Sequence, residues 1–165
     1  MKTNIFLSLF FVLAFGGATV AQSTQKFEDM LRQLYKNTVS LSYAKDLQGM
    51  KNVIFLDARE EEEYNISHIP NAVWIGYKNP NWFFINLLSR DAYIVVYCSV
   101  GYRSERIGED MLKRGFKNVT NLYGGLFDWF NQGFPVVNQY KIPTSRIHTY
   151  DKKWSKWVTR GEKIY

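Results

Sequence analysis

The chain has 165 residues, of which 46% are hydrophobic, 22% are charged and 17% are aromatic. These fractions are close to globular averages and exclude a disordered, collagen-like or coiled-coil protein. The single cysteine, Cys98, excludes an intramolecular disulfide and a zinc site built from cysteines. The length predicts one main domain.

The net charge of +6 lies almost entirely in the C-terminal segment. Residues 22–137 hold 13 basic and 13 acidic side chains, whereas residues 138–165 hold seven basic and two acidic ones. A nucleic-acid-binding domain normally carries a basic stripe on its folded body. We therefore expect no nucleic-acid partner.

The first 21 residues have the pattern of a secretory signal peptide. Lys2 precedes the apolar run Ile5–Phe15, and small residues lead to a cleavage point at Ala21. A membrane anchor is the alternative, but these 11 apolar residues are fewer than the ~20 that span a bilayer. The pattern predicts an exported protein, with the periplasm as its expected compartment.

Strand and helix patterns alternate along the rest of the chain. Apolar spacing and capping residues predict helices at Lys26–Tyr35, Ser42 (as cap) to Leu47 before Gly49, Glu60–Tyr64, Asn79 (as cap, with Pro80) to Leu88, Ser104–Arg114 and Leu126–Phe130. Apolar runs predict strands at Thr38–Leu41, Asn52–Asp57, Ala92–Tyr97 and Asn118–Leu122. This order predicts an α/β fold, a mainly parallel sheet with helices on both faces.

Cys98 follows a buried strand and precedes a helix. Ligands of parallel sheets collect at the carboxyl ends of strands, and Asp57 also falls at such an end. A loop curled between strand and helix aims backbone N–H groups inward, Gly101 allows the tight curl, and Arg103 adds a positive charge. Such a loop lowers a thiol pKa, so we interpret Cys98 as a reactive thiol rather than a buried structural cysteine.

Three stretches of the chain resemble the rhodanese-homology domain family. They are Leu56-Asp57-Ala58-Arg59 continuing through His68-Ile69-Pro70, the loop Cys98-Ser99-Val100-Gly101-Tyr102-Arg103-Ser104, and Leu122-Tyr123-Gly124-Gly125-Leu126 with Trp129 and Gly133-Phe134-Pro135. The resemblance implies a single rhodanese-like domain with a five-stranded parallel sheet. Together with the patterns outside it, this domain divides the chain into a signal peptide (1–21), an N-terminal helix (22–37), the rhodanese-like domain (38–137) and a basic, tryptophan-containing tail (138–165).

The resemblance also implies a sulfurtransferase with Cys98 as catalytic nucleophile. Cys98 would take a sulfur atom from a small anionic donor, thiosulfate or a persulfide, and pass it to cyanide or a thiol acceptor. The amides of Ser99, Val100, Gly101, Tyr102, Arg103 and Ser104 would hold the persulfide, Arg103 would attract the donor, and Asp57 and Arg59 would support the site. No metal or other cofactor is expected. The alternative is a sulfur carrier or protein-interaction module without turnover.

Loop length distinguishes this activity from a related one. Four residues separate Cys98 from Arg103, whereas related cell-cycle phosphatases have five, which gives a wider cradle for phosphate. The loop therefore favours sulfur transfer over phosphatase or arsenate-reductase chemistry.

Other candidate residues receive structural interpretations. His68 is expected to be a turn histidine bonded to backbone, and Glu60–Glu63 to be a solvated helix face. The Trp82-Phe83-Phe84 run is open between the donor entrance and the core. Trp154 and Trp157 lie three residues apart, which favours docking of the tail on the domain; the alternative is contact with an acidic partner or a membrane surface.

Overall fold

A computed structural model describes the backbone from residue 15 and the side chains from residue 22, in both cases to residue 165. Its helices are α1 (Phe15–Leu34), α2 (Ala44–Leu47), α3 (Glu61–Ile66), α4 (Trp82–Leu87), α5 (Tyr102–Lys113) and α6 (Gly125–Asn131). Its strands are β1 (Leu41–Ser42), β2 (Val53–Asp57), β3 (Val73–Trp74), β4 (Tyr93–Tyr97), β5 (Asn118–Leu122), β6 (Arg146–His148) and β7 (Glu162–Ile164).

Five parallel strands form the central sheet in the order β1-β5-β4-β2-β3. The central strand β4 is buried from Ile94 to Tyr97, as a strand covered on both faces must be. One core cluster includes α1, α6 and the C-terminal segment, and a second includes α4 and α5. The predicted α/β architecture is confirmed.

Most of the predicted signal peptide lies outside the described residues. The backbone of α1 is described from Phe15, so this helix runs through the predicted cleavage point at Ala21 to Leu34. Among the described residues, no helix is long and apolar enough to cross a membrane. The signal peptide stays a prediction.

Several element boundaries differ from the sequence prediction, and in three cases a hydrogen bond of a side chain accounts for the difference. Thr38 lies outside the sheet, since its backbone N–H donates to Glu105 at 3.1 Å. Ser42 does not cap α2 but belongs to β1, where its hydroxyl lies 2.9 Å from that of Tyr93. The cap of α4 is Asn81 rather than Asn79, because Asn81 Oδ1 accepts the Phe84 N–H at 3.0 Å.

The C-terminal segment, residues 138–165, folds onto the domain. Strands β6 and β7 pair in parallel, and a 3-10 turn (Trp154–Trp157) lies between them. Both tryptophans pack against the first core cluster, with the Trp157 ring 5.5 Å from that of Phe27 in α1. The docking interpretation is confirmed; contact with an acidic partner or a membrane stays a prediction.

Candidate active site

Cys98 lies at the carboxyl end of β4 and on the floor of a pocket of about 400 Å³. Its side chain is only 1% exposed, yet it lines the pocket together with Ser99, Val100 and Tyr102. The backbone N–H of Gly101 donates to Cys98 Sγ at 3.1 Å. The loop therefore curls around the sulfur, as its sequence predicts, and leaves it facing the pocket.

The surroundings of Cys98 favour its thiolate form. Burial raises the pKa of the thiol, but the charge of Arg103 and hydrogen bonds from the Ser104 backbone and hydroxyl and from the Val100 backbone outweigh it. The pKa of Cys98 is therefore lower than usual. Because α5 begins at Tyr102, the positive end of its dipole acts in the same direction.

Gly101 occupies the one loop position that only glycine fits. Its φ of 97° lies in the left-handed region, and a Cβ built there would stand 2.2 Å from the Tyr35 hydroxyl oxygen. That hydroxyl donates to the Val100 carbonyl at 2.7 Å and accepts the Gly124 N–H at 2.8 Å. Tyr35, just beyond the end of α1, thus joins the Cys98 loop to the turn before α6.

Arg103 is bound to a buried carboxylate rather than free to receive an anion. Its guanidinium donates to Glu63 at 2.6 and 2.8 Å and to the Ser99 hydroxyl at 3.0 Å. The Ser99 hydroxyl in turn donates to Glu63 at 2.9 Å. From the sequence we expect Arg103 to attract an anionic donor. Such a donor would have to compete with the Glu63 carboxylate for the guanidinium of Arg103.

Glu63 corrects the interpretation of Glu60–Glu63 as a solvated face. Its side chain is buried, and it also accepts the backbone N–H of Glu60 in a capping box at the start of α3. Burial raises the pKa of Glu63, but its bonds to Arg103 and the charges of Arg103 and Arg59 bring it down to about 2. The carboxylate is thus ionised at neutral pH and forms an ion pair with Arg103.

Asp57 and Arg59 form a second buried pair. Arg59 Nη2 donates to Asp57 at 2.6 Å and to the Ser67 carbonyl at 2.6 Å, and both side chains are inaccessible to solvent. Among the described residues, those lining the pocket include neither of them. The pair fixes the turn after β2 against the end of α3.

The remaining predicted residues have structural partners. The Ser104 hydroxyl donates to Asn121 at 2.7 Å, and the Tyr102 ring carries the guanidinium of Arg106 at 3.5 Å. His68 Nδ1 lies 2.9 Å from the Tyr64 carbonyl, which confirms the turn interpretation. Of the Trp82-Phe83-Phe84 run, Phe83 is exposed and the other two pack on the second core cluster, away from the pocket.

Aromatic side chains dominate the pocket walls. We define the aromatic wall as Tyr77, Tyr102, Tyr150 and Trp154, all of which line the pocket. Two of the four come from the C-terminal segment, and Leu34 of α1 lines the pocket as well. Neither Glu63 as a site residue, nor Tyr35, nor the grouping of these four aromatic residues was predicted from the sequence. The spacing of Glu60 and Glu63 was the one usable signal, since it is that of a capping box.

Comparison with known proteins identifies the family. The model of the rhodanese-like domain family matches residues 40–132. The chain belongs to this family. A solved structure, a rhodanese-related protein from Thermoplasma volcanium, shares 31% identity with a TM-score of 0.54 and covers 59% of this chain and 97% of its own.

Curated relatives carry a different activity from the one predicted. The tRNA uridine(34) hydroxylase of Onion yellows phytoplasma is 37% identical over 119 residues, which is 69% of this chain but 38% of the relative. That of Oceanobacillus iheyensis is 29% identical over 119 residues and 36% of its length. This rhodanese-like chain thus spans well under half of these relatives.

The prediction of an exported sulfurtransferase acting on thiosulfate is wrong on this comparison. The relatives are named for the hydroxylation of a tRNA uridine, not for sulfur transfer. The alternative of a carrier module without turnover is wrong on the same ground, because the family match and the names of the relatives indicate an enzyme. The small anionic donor itself stays a prediction, and the Arg103 guanidinium that it would meet is paired with Glu63.

Proposed function

We propose that this chain is a cysteine-dependent enzyme in which the Cys98 thiolate attacks the substrate and forms a covalent intermediate. The observation that carries the proposal is the Gly101 N–H donating to Cys98 Sγ at 3.1 Å on the floor of an open pocket. A thiolate held by amides at a helix N-terminus is an activated nucleophile. The same amide is placed to hold negative charge as it returns to sulfur when the intermediate breaks down.

The first experiment measures the reactivity of Cys98 towards iodoacetamide as a function of pH. We expect the rate to reach half its maximum below about pH 8.5, the usual pKa of a free cysteine. Arg103→Met should move this midpoint upward, because it removes the cation that lowers the pKa of Cys98. Arg106→Met is the matched control, because it removes another arginine of α5, one whose guanidinium stacks on the Tyr102 ring. A wild-type midpoint at or above 8.5 would refute the proposal.

For the substrate, we propose a uracil base in RNA. Support comes from the names of the relatives and from a pocket with flat aromatic walls. The expectation of no nucleic-acid partner rested on the equal numbers of basic and acidic side chains in residues 22–137. The basic C-terminal segment contributes to the pocket as well: Lys152 and Lys153 lie in the sequence between Tyr150 and Trp154, two residues of the aromatic wall, and bring positive charge towards the pocket.

The proposed step is addition of the thiolate to C6 of the ring. A C–S bond forms from the Cys98 electron pair, the C5–C6 π electrons move towards C5 and O4, and C5 takes a proton from water. In the reverse reaction C5 loses a proton and the thiolate leaves. No electron is gained or lost. Addition of a hydroxyl group would need an oxidant and lies outside this proposal.

Release of tritium from tRNA containing [5-³H]uridine tests the substrate. Each reversible addition lets C5 exchange its hydrogen with water, so we expect tritium in the solvent with the wild type and none above background with Cys98→Ser. If tritium stays in the tRNA while Cys98 still reacts rapidly with iodoacetamide, uracil is not the substrate and the nucleophilic role stands.

A further inference from the structure

The aromatic wall is built from two parts of the chain, one inside the family match and one outside it. Tyr77 and Tyr102 lie within the family match at residues 40–132, and Tyr150 and Trp154 lie beyond it. The first pair comes from the segment after β3 and from the start of α5. The second pair reaches the same pocket from the connection between β6 and β7. Residues outside the matched domain therefore complete the surroundings of Cys98.

The connection between β6 and β7 is anchored on both sides of the wall. Ile147 and Thr149 are fully buried just before Tyr150, and Val158 is buried just after the 3-10 turn. Asp151 caps that turn, since its carboxylate accepts the Trp154 N–H at 2.9 Å. Asn131 of α6 donates to the Trp157 carbonyl at 2.8 Å. The connection that carries Tyr150 and Trp154 is therefore anchored to the domain on both sides, while the Tyr150 side chain itself is largely exposed.

Tyr150 is held in an unusual backbone conformation. Its φ of 67° lies in the left-handed region, which a bulky non-glycine residue rarely adopts, and its N–H donates to His148 Nδ1 at 3.1 Å. In this conformation the guanidinium of Arg103 lies 5.8 Å from the centre of the Tyr150 ring. The surrounding structure thus fixes the ring beside the residue that supports Cys98.

The two basic residues that line the pocket in the described part of the chain, Lys78 and Arg103, do not form a site for a small anion. Arg103 is bound to Glu63 and Ser99. Lys78 lies at the rim with its side chain 79% exposed, 3.9 Å from Glu60. What the walls offer a substrate is aromatic surface, and aromatic side chains bind planar rings by stacking.

We infer that Tyr150 and Trp154 are specificity-determining residues that make the pocket prefer a substrate with a planar ring beside its electrophilic atom. The inference rests on the proposed nucleophilic role of Cys98 and concerns the shape of what Cys98 attacks. It assigns a binding role to a segment outside the matched family domain.

The test compares two alkylating agents that differ in one ring, N-phenyliodoacetamide and iodoacetamide. The ratio of their second-order rate constants with Cys98 reports the contribution of stacking. Tyr150→Ala should lower this ratio about tenfold, since stacking on an aromatic residue is worth about 1–3 kcal/mol. The ratio is the readout, because it separates the contribution of the phenyl ring from any change in the reactivity of the thiol itself. Tyr150→Phe keeps the ring and should keep the ratio.

Tyr140→Ala is the matched control, because Tyr140 belongs to the same segment, is 73% exposed and does not line the pocket. Trp154→Leu should lower the ratio in the same direction, with urea unfolding as a check of its fold. An unchanged ratio in Tyr150→Ala overturns the inference. A high pKa of Cys98 in the wild type would instead overturn the proposed function, so the two failures differ.

Discussion

The matched domain, residues 40–132, and the two segments that flank it contribute different things to the site. The matched domain supplies the nucleophile, its loop and the buried Glu63–Arg103 pair. The flanks supply Tyr35, Tyr150 and Trp154, which hold the loop and line the pocket. The matched domain therefore supplies the reactive group, and the flanks supply support for its loop and part of the pocket wall.

The two regions meet most closely at Tyr35 and Gly101. The Tyr35 hydroxyl bonds the Val100 carbonyl of the Cys98 loop and the Gly124 N–H of the turn before α6, and Gly101 leaves room for it. Glu105 adds a second junction, because its carboxylate accepts backbone N–H groups of Lys36 and Thr38 at 3.0 and 3.1 Å. If reactivity belongs to the domain alone, changes at these junctions should leave Cys98 unaffected.

The largest effect is expected inside the matched domain, from Glu63→Gln. This change leaves the charge of Arg103 buried without its carboxylate, and breaking a buried pair costs about 3 kcal/mol or more of unfolding free energy. The measurement is urea unfolding at pH 7. Glu61→Gln, on the exposed side of α3, is the control and should change the unfolding free energy by less than about 0.5 kcal/mol.

The difference in unfolding free energy between the wild type and Glu63→Gln should depend on pH. Because the pKa of Glu63 is lowered to about 2, its ionised form stabilises the fold fully above its ordinary pKa of 4.5 and loses this effect as the pH falls towards 2. The gap in stability between wild type and Glu63→Gln should therefore shrink as the pH drops from 4.5. A constant gap between pH 7 and pH 3 would contradict the assignment.

The next largest effect is expected at the junction, from Gly101→Ala. The new Cβ adds left-handed strain and meets the Tyr35 ring, so we expect a loss of about 2 kcal/mol and slower alkylation of Cys98. Gly115→Ala is the matched control: Gly115 has a φ of 88°, and nothing lies within 4 Å of its added Cβ. Equal losses in the two variants would show that Tyr35 does not constrain the loop.

Tyr35→Phe should have a smaller effect that originates in the flank. It leaves the Val100 carbonyl and the Gly124 N–H without their buried partner, a cost of about 1–2 kcal/mol. We expect slower alkylation of Cys98 by iodoacetamide at pH 7, because the loop is less firmly held. Tyr43→Phe is the control on a half-exposed tyrosine. Unchanged Cys98 reactivity in Tyr35→Phe would assign reactivity to the matched domain alone.

The smallest effect is expected from Asp128→Asn in α6. Burial raises the pKa of Asp128 to about 6, a hydrogen bond from Gln132 opposes the rise, and the charge of Glu28 in α1 adds to it. Ionisation therefore costs stability as the pH rises from about 4 through 6. Asp128→Asn should raise the unfolding free energy by about 0.5 kcal/mol at pH 8 and not at pH 4. The opposite order of these two results would rule out the assigned pKa.

The sequence predicted the buried strands of the fold well, for a clear physical reason. Val53–Asp57 and Tyr93–Tyr97 are continuous runs of mostly apolar residues. Such runs are typical of parallel strands that are covered by helices on both faces of the sheet. The short strands β3 and β6 have no such run, so their pairing depends on neighbours that are distant in sequence. The cap of α4 was misplaced by two residues because Asn79 and Asn81 carry the same side chain.

The site was predictable where it is local in sequence. The Cys98 loop follows from a strand, a glycine and an arginine within a few residues. Glu63 lies 36 residues from Ser99, and Tyr35 lies 65 residues from Val100. The spacing of residues within one segment does not indicate which residues distant in the sequence will be in contact. The charge of Arg103 was visible in the sequence, but its neutralisation by Glu63 was not.

The parallel pairing of β6 with β7 positions the connection between them at the pocket. Parallel strands need a crossover between them, and here the crossover carries Tyr150 and Trp154 past the pocket. Deleting the last four residues would remove the partner of β6 and release one anchor of the crossover. Affinity tags for this protein are therefore best attached away from Tyr165, where they leave the entrance undisturbed.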